Sequence, residues 1–195
     1  ELAAENRGGP EFLAGMPGTA GGALWMNARC YERSVSDILI EAEILDETRR
    51  RVRLPRARGD FAYKKSPFQN RDILILSGTF ALEPRSGEDI RQEAADHRRD
   101  REAKGHYRFP SAGSVFKNNR NFGKPAGKII DELGLRGLRI GGAQVAPWHG
   151  NIIINTGDAR AADIRSLVYE VAARVKAARG FNLEPEIIFA GDWGD

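Results

Sequence analysis

The sequence lacks several features that would assign it to a specialised class of protein. It has a single cysteine, Cys30, which excludes an internal disulfide framework and is compatible with a reducing compartment. It has no run of about 18 apolar residues and no secretory signal at its start, so neither a membrane span nor export is expected. Its only histidines, His97, His106 and His149, lie far apart in the chain. Because there is also no Cys/His cluster with zinc spacing, we expect no metal site.

What the chain does contain is enough apolar material for a core and a mild excess of positive charge. Hydrophobic residues make up 41% of its 195 residues, and the net charge is +3 at pH 7. This charge suits an anionic ligand such as a nucleotide diphosphate. Residues 49–58, RRRVRLPRAR, hold most of the local excess. They have two interpretations, a charged edge of a β-hairpin and a nucleic-acid patch. The first is favoured because no recognition motif or interleaved aromatic residue supports the second.

The start of the chain is unusual for a complete protein. The chain begins with Glu1 rather than methionine, and its first ten residues, ELAAENRGGP, resemble the end of a longer segment. We therefore expect a fragment or a processed chain.

Periodicity predicts an α+β fold. In residues 35–46, Ile38, Ile40, Ala42 and Ile44 are spaced two residues apart and share one face, which is typical of a strand. A second strand is predicted in the basic stretch that follows, with Val52 and Leu54 on its inner face. Further strands are predicted at 73–82, 138–145, 151–155 and 186–190. Helices are predicted over 86–104, 125–134 and from Asp158 to Arg179, the last with an apolar stripe and Gly180 as its stop. A domain boundary is predicted near residue 84. The expected sheet is mostly antiparallel.

Four segments contain residues that suit chemistry, and each also has a purely structural interpretation. GMPGTAGGA, residues 15–23, is either a cofactor loop whose bare backbone approaches a ligand or a tight turn packed under a sheet. FPSAGSVFKNN, residues 109–119, places Ser114 after a glycine, but spacing alone favours a structural serine, and the nucleophile elbow G-x-S-x-G is absent. The lysines of FAYKKSPFQ, residues 61–69, suit a carboxylate or phosphate, or form a solvated loop. Glu186 opens the apolar segment of LEPEIIFAG, and it is either functional or solvated.

In this order, the same segments resemble the UDP-N-acetylenolpyruvoylglucosamine reductase (MurB) family. GMPGTAGGALWMNARCY resembles the family's G-I-P-G-T-x-G-G-A…N-x-G-A-Y segment, and FAYKKSPFQ its F-x-Y-R-x-S-x-F segment. PSAGSVFKNN is similar to the family's catalytic-serine motif. PAGKIIDELGLRGLRIGGAQVAPWHGNIIIN is similar to its substrate domain, and LEPEIIFAG resembles its C-terminal L-x-x-E-V-x-x-I-G. The resemblance covers residues 10–191.

The resemblance implies an oxidoreductase of bacterial cell-wall (peptidoglycan) synthesis that works in the cytoplasm. In this family NADPH reduces FAD, and a hydride then passes to the enolpyruvyl group of UDP-N-acetylglucosamine enolpyruvate, giving UDP-N-acetylmuramate. Residues 1–84 would be the C-terminal portion of the FAD-binding domain, and residues 85–195 the UDP-sugar-binding domain. The implied partner is the UDP-sugar, without nucleic acid or membrane.

The resemblance also implies roles for individual residues. Ser114 matches the general acid, Glu186 the glutamate that stabilises the enol-type intermediate, and Lys64 the position next to the substrate carboxylate. Tyr63, Lys117 and Asn118 match positions near the substrate. The segment that lies against FAD would supply the cofactor-binding residues: Gly15, Pro17, Gly18, Thr19, Gly21 and Gly22.

Three departures from the family accompany these roles. Lys64 stands where the family usually has arginine, which keeps the charge but not the bidentate fork. Arg29 and Glu32 stand where the family often has glycine. The family's N-terminal portion, which forms the other half of the FAD domain, is expected to be missing. The alternative function is therefore a truncated or diverged UDP-sugar-binding module without redox activity.

Overall fold

The computed structural model describes residues 1–57 and 59–193 and divides into two compact units. The first comprises Glu1–Asp100 and the second Arg101–Asp195. The division lies in the last turn of a helix, Gly87–Ala103, whereas the boundary predicted near residue 84 lies just before that helix. The assignment of one part to FAD and the other to a UDP-sugar stays a prediction. The fold is α+β, as predicted, and every strand pair is antiparallel.

Within the described residues, the first unit is built on a three-stranded sheet with two short strand pairs and two α-helices. Its sheet has the order β5-β4-β6, and the pairs are β1-β7 and β2-β3. In chain order the elements are β1 (Arg7–Gly8), α1 (Ala20–Met26), β2 (Arg29–Cys30), β3 (Arg33–Ser34), β4 (Leu39–Leu45), β5 (Arg51–Pro55), β6 (Leu74–Phe80), β7 (Glu83–Pro84) and α2 (Gly87–Ala103).

One face of β4 forms the centre of the first core, although not with the residues predicted throughout. Ala42 and Ile44 are fully buried, as the alternation predicts. Ile40, predicted on the same face, is 50% exposed, and Leu39 is buried in its place. The pairing of β4 with β6 shifts register between Leu39 and Glu41. Because successive strand residues point to opposite faces, a shift of one residue moves Ile40 out of the core.

The basic run after β4 forms an edge strand, as its favoured interpretation predicts. Strand β5 pairs with β4 on one side only. Arg51 contacts Glu43 at 2.9 Å and Arg53 contacts Glu41 at 3.6 Å, so cross-strand carboxylates offset part of the positive charge. Arg58, the last residue of the run, lies outside the described residues.

The second unit is a four-stranded sheet with two helices. The strand order is β8-β11-β10-β9. In chain order the elements are β8 (Ser111–Ser114), α3 (Ala126–Glu132), β9 (Arg139–Ile140), β10 (Ala143–Val145), β11 (Ile152–Asn155) and α4 (Ala161–Arg179).

The apolar run of β11 is buried on both faces of this sheet. Ile153 belongs to the main core, together with residues of α3 and α4. Ile152 and Ile154 alternate to the other face, where Trp148 packs against them. This two-sided burial explains why three consecutive isoleucines occur in one strand.

Helix α4 confirms the predicted apolar stripe, but it begins later than expected. Leu167, Val168, Val171 and Val175 are at most 1% exposed, and Gly180 ends the helix in a left-handed conformation. The helix starts at Ala161 rather than at Asp158, because the Asp163 carboxylate accepts the backbone N–H of Arg160 at 3.0 Å.

The strand predicted over 186–190 is wrong. That segment forms no ladder, and its neighbour Pro185 makes a single antiparallel bridge with Phe116. Ile187 and Phe189 pack against the main core while Ile188 is 64% exposed. Alternating burial without a partner strand thus produced the strand-like pattern. Across the described residues, every helix is too short or too polar to cross a membrane.

Candidate active site

Ser114 lies at the edge of a cavity in the second unit. It is the last residue of β8, where it pairs with Ile152 of β11, and its side chain is exposed. The cavity has a volume of about 290 Å³ and is lined by Ser114, Asn118 and residues of α3 and of the β10–β11 connection. The serine and Asn118, both predicted as site residues, are therefore brought together.

The backbone that follows Ser114 is fixed by Asn151, which also lines the cavity. The Asn151 Oδ1 accepts the N–H of Phe116 at 2.9 Å, and its Nδ2 donates to the Phe116 carbonyl at 2.8 Å. Both bonds are buried, so the side chain substitutes for a strand partner. Gly150 allows the β10–β11 connection to lie close to α3, because a Cβ at this position would lie 2.4 Å from the Gly127 carbonyl oxygen.

Asn118 has a structural bond in addition to its place in the cavity. Its Oδ1 accepts the backbone N–H of Ala126 at 2.9 Å, at the start of α3. This bond satisfies one of the N–H groups that a helix leaves without an internal partner. Asn118 thereby couples the serine segment to the helix that forms another side of the cavity.

Lys117 belongs to the serine segment and Glu186 lies beside it, but neither is among the residues that line the cavity. The Lys117 ammonium contacts the Glu184 carboxylate at 2.5 Å, and the Lys117 N–H donates to the Glu184 carbonyl at 2.9 Å. The N–H of Glu186 donates to the Val115 carbonyl at 2.7 Å. The structure thus holds the two predicted segments side by side through their backbones, and Glu186 is half-buried.

The cavity contains a histidine whose pKa is lowered. Burial lowers the pKa of the His149 imidazole, and the positive charge of Lys104 lowers the pKa further. Its Nδ1 accepts the backbone N–H of Asn151 at 3.1 Å, which places the proton of the neutral ring on Nε2. At neutral pH His149 therefore adds a hydrogen-bond donor but no charge.

The glycine-rich segment of the first unit is exposed at Pro17, Gly18 and Thr19. Gly18 has a φ of +135°, and no atom lies within 4 Å of a Cβ placed there. Leu24 is fully buried and Trp25 packs against the same core, so apolar residues anchor the segment. Thr19 is exposed, and its Oγ1 accepts the N–H of Gly22 at 3.1 Å.

Part of this segment is helical, which sequence reasoning missed. Gly21 and Gly22 lie in the first turn of α1, although glycine disfavours helices. The Thr19 cap and the burial of Leu24 outweigh that preference. Gly15 and Pro17 precede the helix, so all six predicted cofactor-side residues lie at or before its first turn. The glycines of this segment allow close approach of a ligand to the backbone.

Tyr63 and Lys64 form the tip of a tight turn that is tied to this helix. Ala62 and Lys65 bridge each other, and Lys64 has a left-handed φ of +56°. The Ser66 hydroxyl donates to the Trp25 carbonyl at 2.6 Å, near the end of α1. The first unit thus brings together the glycine-rich segment and the predicted Tyr63–Lys64 pair, and the Lys64 ammonium lies 5.9 Å from the Tyr63 ring centre.

The turn between β2 and β3 shows how the chain accommodates residues where the resemblance expects glycine. Tyr31 and Glu32 both adopt positive φ, at 48° and 63°. Arg29 pairs with Glu32 at 2.5 Å, and the Tyr31 ring stacks on His97 with centres 3.8 Å apart. Side-chain contacts thus accompany a conformation that L residues rarely adopt.

Several cavity residues were missed by sequence reasoning. Lys128, Asp131 and Arg136 line the cavity together with Trp148 and His149. The available signal was the position of Lys128 and Asp131 three residues apart on one face of a predicted helix. No comparable signal existed for Arg136, which lies beyond the end of α3.

Comparison with known proteins gives a consistent family. Residues 105–190 match the C-terminal domain of UDP-N-acetylenolpyruvoylglucosamine reductase. The chain is 46% identical to the protein of that name from Treponema denticola, over 95% of this chain and 61% of the relative. It is 44% identical to that from Borreliella burgdorferi, over 94% and 61%.

A solved structure agrees with these relatives. The crystal structure of UDP-N-acetylenolpyruvylglucosamine reductase (MurB) from Thermus caldophilus matches with a TM-score of 0.79 and 34% identity, over 95% of this chain and 65% of that one. The chain thus spans about three fifths of the length of the curated relatives it matches. Over that length, it is similar to the UDP-N-acetylenolpyruvoylglucosamine reductases, and residues 105–190 match the C-terminal domain of that family.

Proposed function

We propose that this chain is part of a flavin-dependent reductase that converts UDP-N-acetylglucosamine enolpyruvate to UDP-N-acetylmuramate, at the expense of NADPH, in the cytoplasm. The observation that carries the proposal is the position of Ser114, which lines a polar cavity with cationic side chains beside it. A hydroxyl in such a cavity suits proton transfer to a bound anionic substrate. The relatives and the family domain that the chain matches support the substrate and the role in peptidoglycan precursor synthesis.

FAD, reduced by NADPH, would supply the hydride when bound. The residues that would hold it are exposed or half-buried, and the apolar residues Leu24 and Trp25 anchor their segment: Gly15, Pro17, Gly18, Thr19, Gly21 and Gly22. The space around Gly18 supports this assignment, because a ligand can approach the backbone there without meeting a side chain.

Ser114 would donate a proton from its hydroxyl to one carbon of the enolpyruvyl double bond, while the neighbouring carbon receives the hydride. A serine hydroxyl is a weak acid, but the enolate formed from the substrate is a strong base. Proton transfer therefore runs downhill once the hydroxyl is correctly placed. The double hydrogen bond between Asn151 and Phe116 supports this role, because it fixes the backbone two residues after Ser114.

Glu186 and Lys64 would stabilise charge that develops on the substrate. Glu186 is positioned by its backbone bond to Val115, the residue after Ser114, and would stabilise the enol-type intermediate. Lys64 would neutralise the substrate carboxylate with its ammonium group. Tyr63, Lys117 and Asn118 would contact the rest of the substrate.

The second candidate function is a UDP-sugar-binding module without redox activity. Lys64 favours it, since lysine replaces a bidentate arginine at the carboxylate position. The two functions differ in whether substrate binding is coupled to electron transfer.

The experiment uses the protein from the complete reading frame that contains this chain. NADPH consumption is followed at 340 nm, roughly the absorbance maximum of reduced nicotinamide, and the enolpyruvyl UDP-sugar is added last. Consumption that starts only with the sugar is expected. If flavin is bound but NADPH consumption does not depend on the sugar, the result would contradict the reductase and favour the binding module.

A further inference from the structure

The backbone carbonyl of Lys64 accepts a hydrogen bond from a side chain that none of the assigned roles uses. The Gln69 Nε2 donates to the Lys64 carbonyl at 3.2 Å and to the Trp25 carbonyl at 3.0 Å. Because an amide nitrogen has two hydrogens, both of its donors are engaged. Trp25 is the last residue but one of α1, where a helix leaves its carbonyls without internal partners. Gln69 therefore joins the end of α1 to the residue that is assigned to the substrate carboxylate.

The backbone of Lys64 has a conformation that needs support from its neighbours. Lys64 is the third residue of the turn from Ala62 to Lys65, whose ends exchange backbone hydrogen bonds of 3.0 and 3.2 Å. A positive φ at this position of a turn favours glycine or asparagine, and Lys64 has a φ of +56° there. Since the Cβ of an L residue crowds the following carbonyl oxygen in this region, contacts elsewhere must hold Lys64 in it.

A second side chain holds the start of the same turn. Asn27 is 3% exposed and follows α1 directly. Its Nδ2 donates to the Ala62 carbonyl at 2.8 Å, and its Oδ1 accepts the N–H of Ser36 at 3.2 Å. The first and third residues of the turn are thus both tied to the C-terminal end of the helix whose first turn contains Gly21 and Gly22.

We propose that Gln69 is a positioning residue, which holds Lys64 in its left-handed conformation and so directs the lysine ammonium toward the carboxylate of the substrate. The proposal rests on the proposed function and deepens it, because it names the group that decides where Lys64 acts. Lysine offers a point charge on a flexible stem, without the rigid fork of arginine. The placement of its charge therefore depends on the backbone from which the stem extends.

The test compares the kinetics of the complete protein with and without the Gln69 amide. Gln69→Met has a similar length but no donor, and it is expected to lower kcat/KM for the enolpyruvyl UDP-sugar about three- to tenfold, the range for loss of one hydrogen bond. Reduction of bound flavin by NADPH does not involve the substrate carboxylate, so its rate is expected to stay within about twofold. Gln69→Asn keeps the polarity of the side chain but is one methylene shorter. The same result is expected of it, and it replaces Gln69→Met if that variant does not fold.

A double-mutant cycle separates a positioning role from a purely structural one. Gln69→Met is introduced into Lys64→Ala, and the kcat/KM of Lys64→Ala is the reference. If Gln69 acts through the lysine, the second substitution is expected to change kcat/KM by less than about twofold. Losses that multiply in the double variant would show that Gln69 acts independently of Lys64, and they would overturn the proposal.

Ser66 offers a matched control at the same end of α1. Its hydroxyl donates to the Trp25 carbonyl at 2.6 Å, and this carbonyl keeps its bond to Gln69 in Ser66→Ala. Both substitutions remove one bond at Trp25, but only Gln69→Met removes the bond to Lys64. Ser66→Ala is expected to lower the free energy of unfolding and to keep kcat/KM within about twofold. An equal loss of kcat/KM in both variants would assign the effect to a loosened turn and overturn the proposal.

Ligand binding distinguishes failure of this proposal from failure of the reductase. UDP-N-acetylmuramate has a carboxylate and UDP-N-acetylglucosamine has none. In titration calorimetry, Gln69→Met is expected to raise the Kd of the first about three- to tenfold and that of the second less than about twofold. Equal weakening of both ligands overturns the positioning role, and so do unchanged Kd and kcat/KM values, which leave the reductase standing. Selective loss of UDP-N-acetylmuramate affinity, in a protein whose NADPH consumption ignores the sugar, would keep the positioning role and overturn the reductase.

Discussion

The Asn151 side chain hydrogen-bonds both backbone polar groups of Phe116, at 2.9 and 2.8 Å, and both bonds are buried. Asn151→Ala removes a donor and an acceptor at once and leaves two buried backbone groups without a partner. We expect the free energy of unfolding to fall by about 2–6 kcal/mol, from about 1–3 kcal/mol for each group. Urea denaturation measures this loss.

Asn155, at the other end of β11 from Asn151, offers a control for that substitution. Asn155 Oδ1 accepts the N–H groups of Gly157 and Ala159, at 2.8 and 3.0 Å, nearer the surface. Since water can replace these bonds, Asn155→Ala is expected to cost less than Asn151→Ala. Equal losses of stability would show that the buried bonds to Phe116 contribute no more than the more exposed bonds of Asn155.

The assignment of the carboxylate contact predicts a difference between two adjacent lysines. Lys64 is half-buried at the tip of the turn, while Lys65 is exposed and forms the bridge with Ala62. In the complete protein, Lys64→Ala is expected to lower kcat/KM about tenfold or more through loss of a charged contact. Lys65→Ala is expected to have a smaller effect. The reverse order would shift the assignment by one residue.

The lowered pKa of His149 predicts a pH dependence of stability. Burial is its main cause, and the imidazole of the unfolded chain titrates near pH 6.5. Because the native pKa is below the unfolded value, the unfolded chain binds more protons between the two. The free energy of unfolding is therefore greatest above about pH 6.5 and falls as the pH drops toward the native pKa.

His149→Gln tests this origin, because glutamine does not titrate. Urea denaturation of both proteins between about pH 7.5 and 5.5 is expected to show a shallower dependence in the variant. The same slope in both would assign the pH dependence to other groups. An imidazole signal of His149 titrating at or above about 6.5 in NMR would contradict the lowered pKa directly.

Close packing at Gly150 predicts a steric effect on the cavity. A Cβ at this position meets the Gly127 carbonyl oxygen at 2.4 Å, so Gly150→Ala must push α3 away from the β10–β11 connection. We expect a loss of about 1–3 kcal/mol, as for other overpacked sites, and weaker UDP binding. Thermal and urea denaturation measure the first, and calorimetry the second.

Gly134→Ala is the comparison for Gly150→Ala. Gly134 has a φ of +68°, but no atom lies within 4 Å of a Cβ placed there. Its substitution costs only the left-handed conformation, about 1–2 kcal/mol, and leaves the cavity intact. UDP affinity unchanged in Gly150→Ala would show that the close approach does not shape the cavity.

Elements with a strong period could be predicted from the sequence, and elements set by partners elsewhere could not. The apolar stripe of α4 could be predicted from the local sequence, because Leu167, Val168 and Val171 repeat at the helical period. The segment after Pro185 has strand-like alternation but no partner beyond one bridge, so it forms no strand. The exposed position of Ile40 follows from a register shift that depends on the neighbouring strand β6.

The candidate site shows the same division. Ser114 and Asn118 were found through motif resemblance, and the structure brings them to one cavity. Lys128 and Arg136 lie in the segment that is similar to the substrate domain, but neither had a predicted role, because their convergence depends on the turn after α3. The helix at Gly21 and Gly22 was missed because glycine is a poor helix former, whereas a Thr19 cap and a buried Leu24 stabilise it.

The central claim is that Ser114 delivers the proton to the substrate, and separate measurement of the two half-reactions tests it most directly. Stopped-flow absorbance follows the reduction of bound flavin by NADPH and then its reoxidation by the enolpyruvyl UDP-sugar in the complete Ser114→Ala protein. Flavin reduction is expected to stay at the original rate. Reoxidation by the sugar is expected to slow by about 10²-fold or more, as general acid catalysis contributes that much. Reoxidation at the original rate would contradict the account and remove Ser114 from the chemistry.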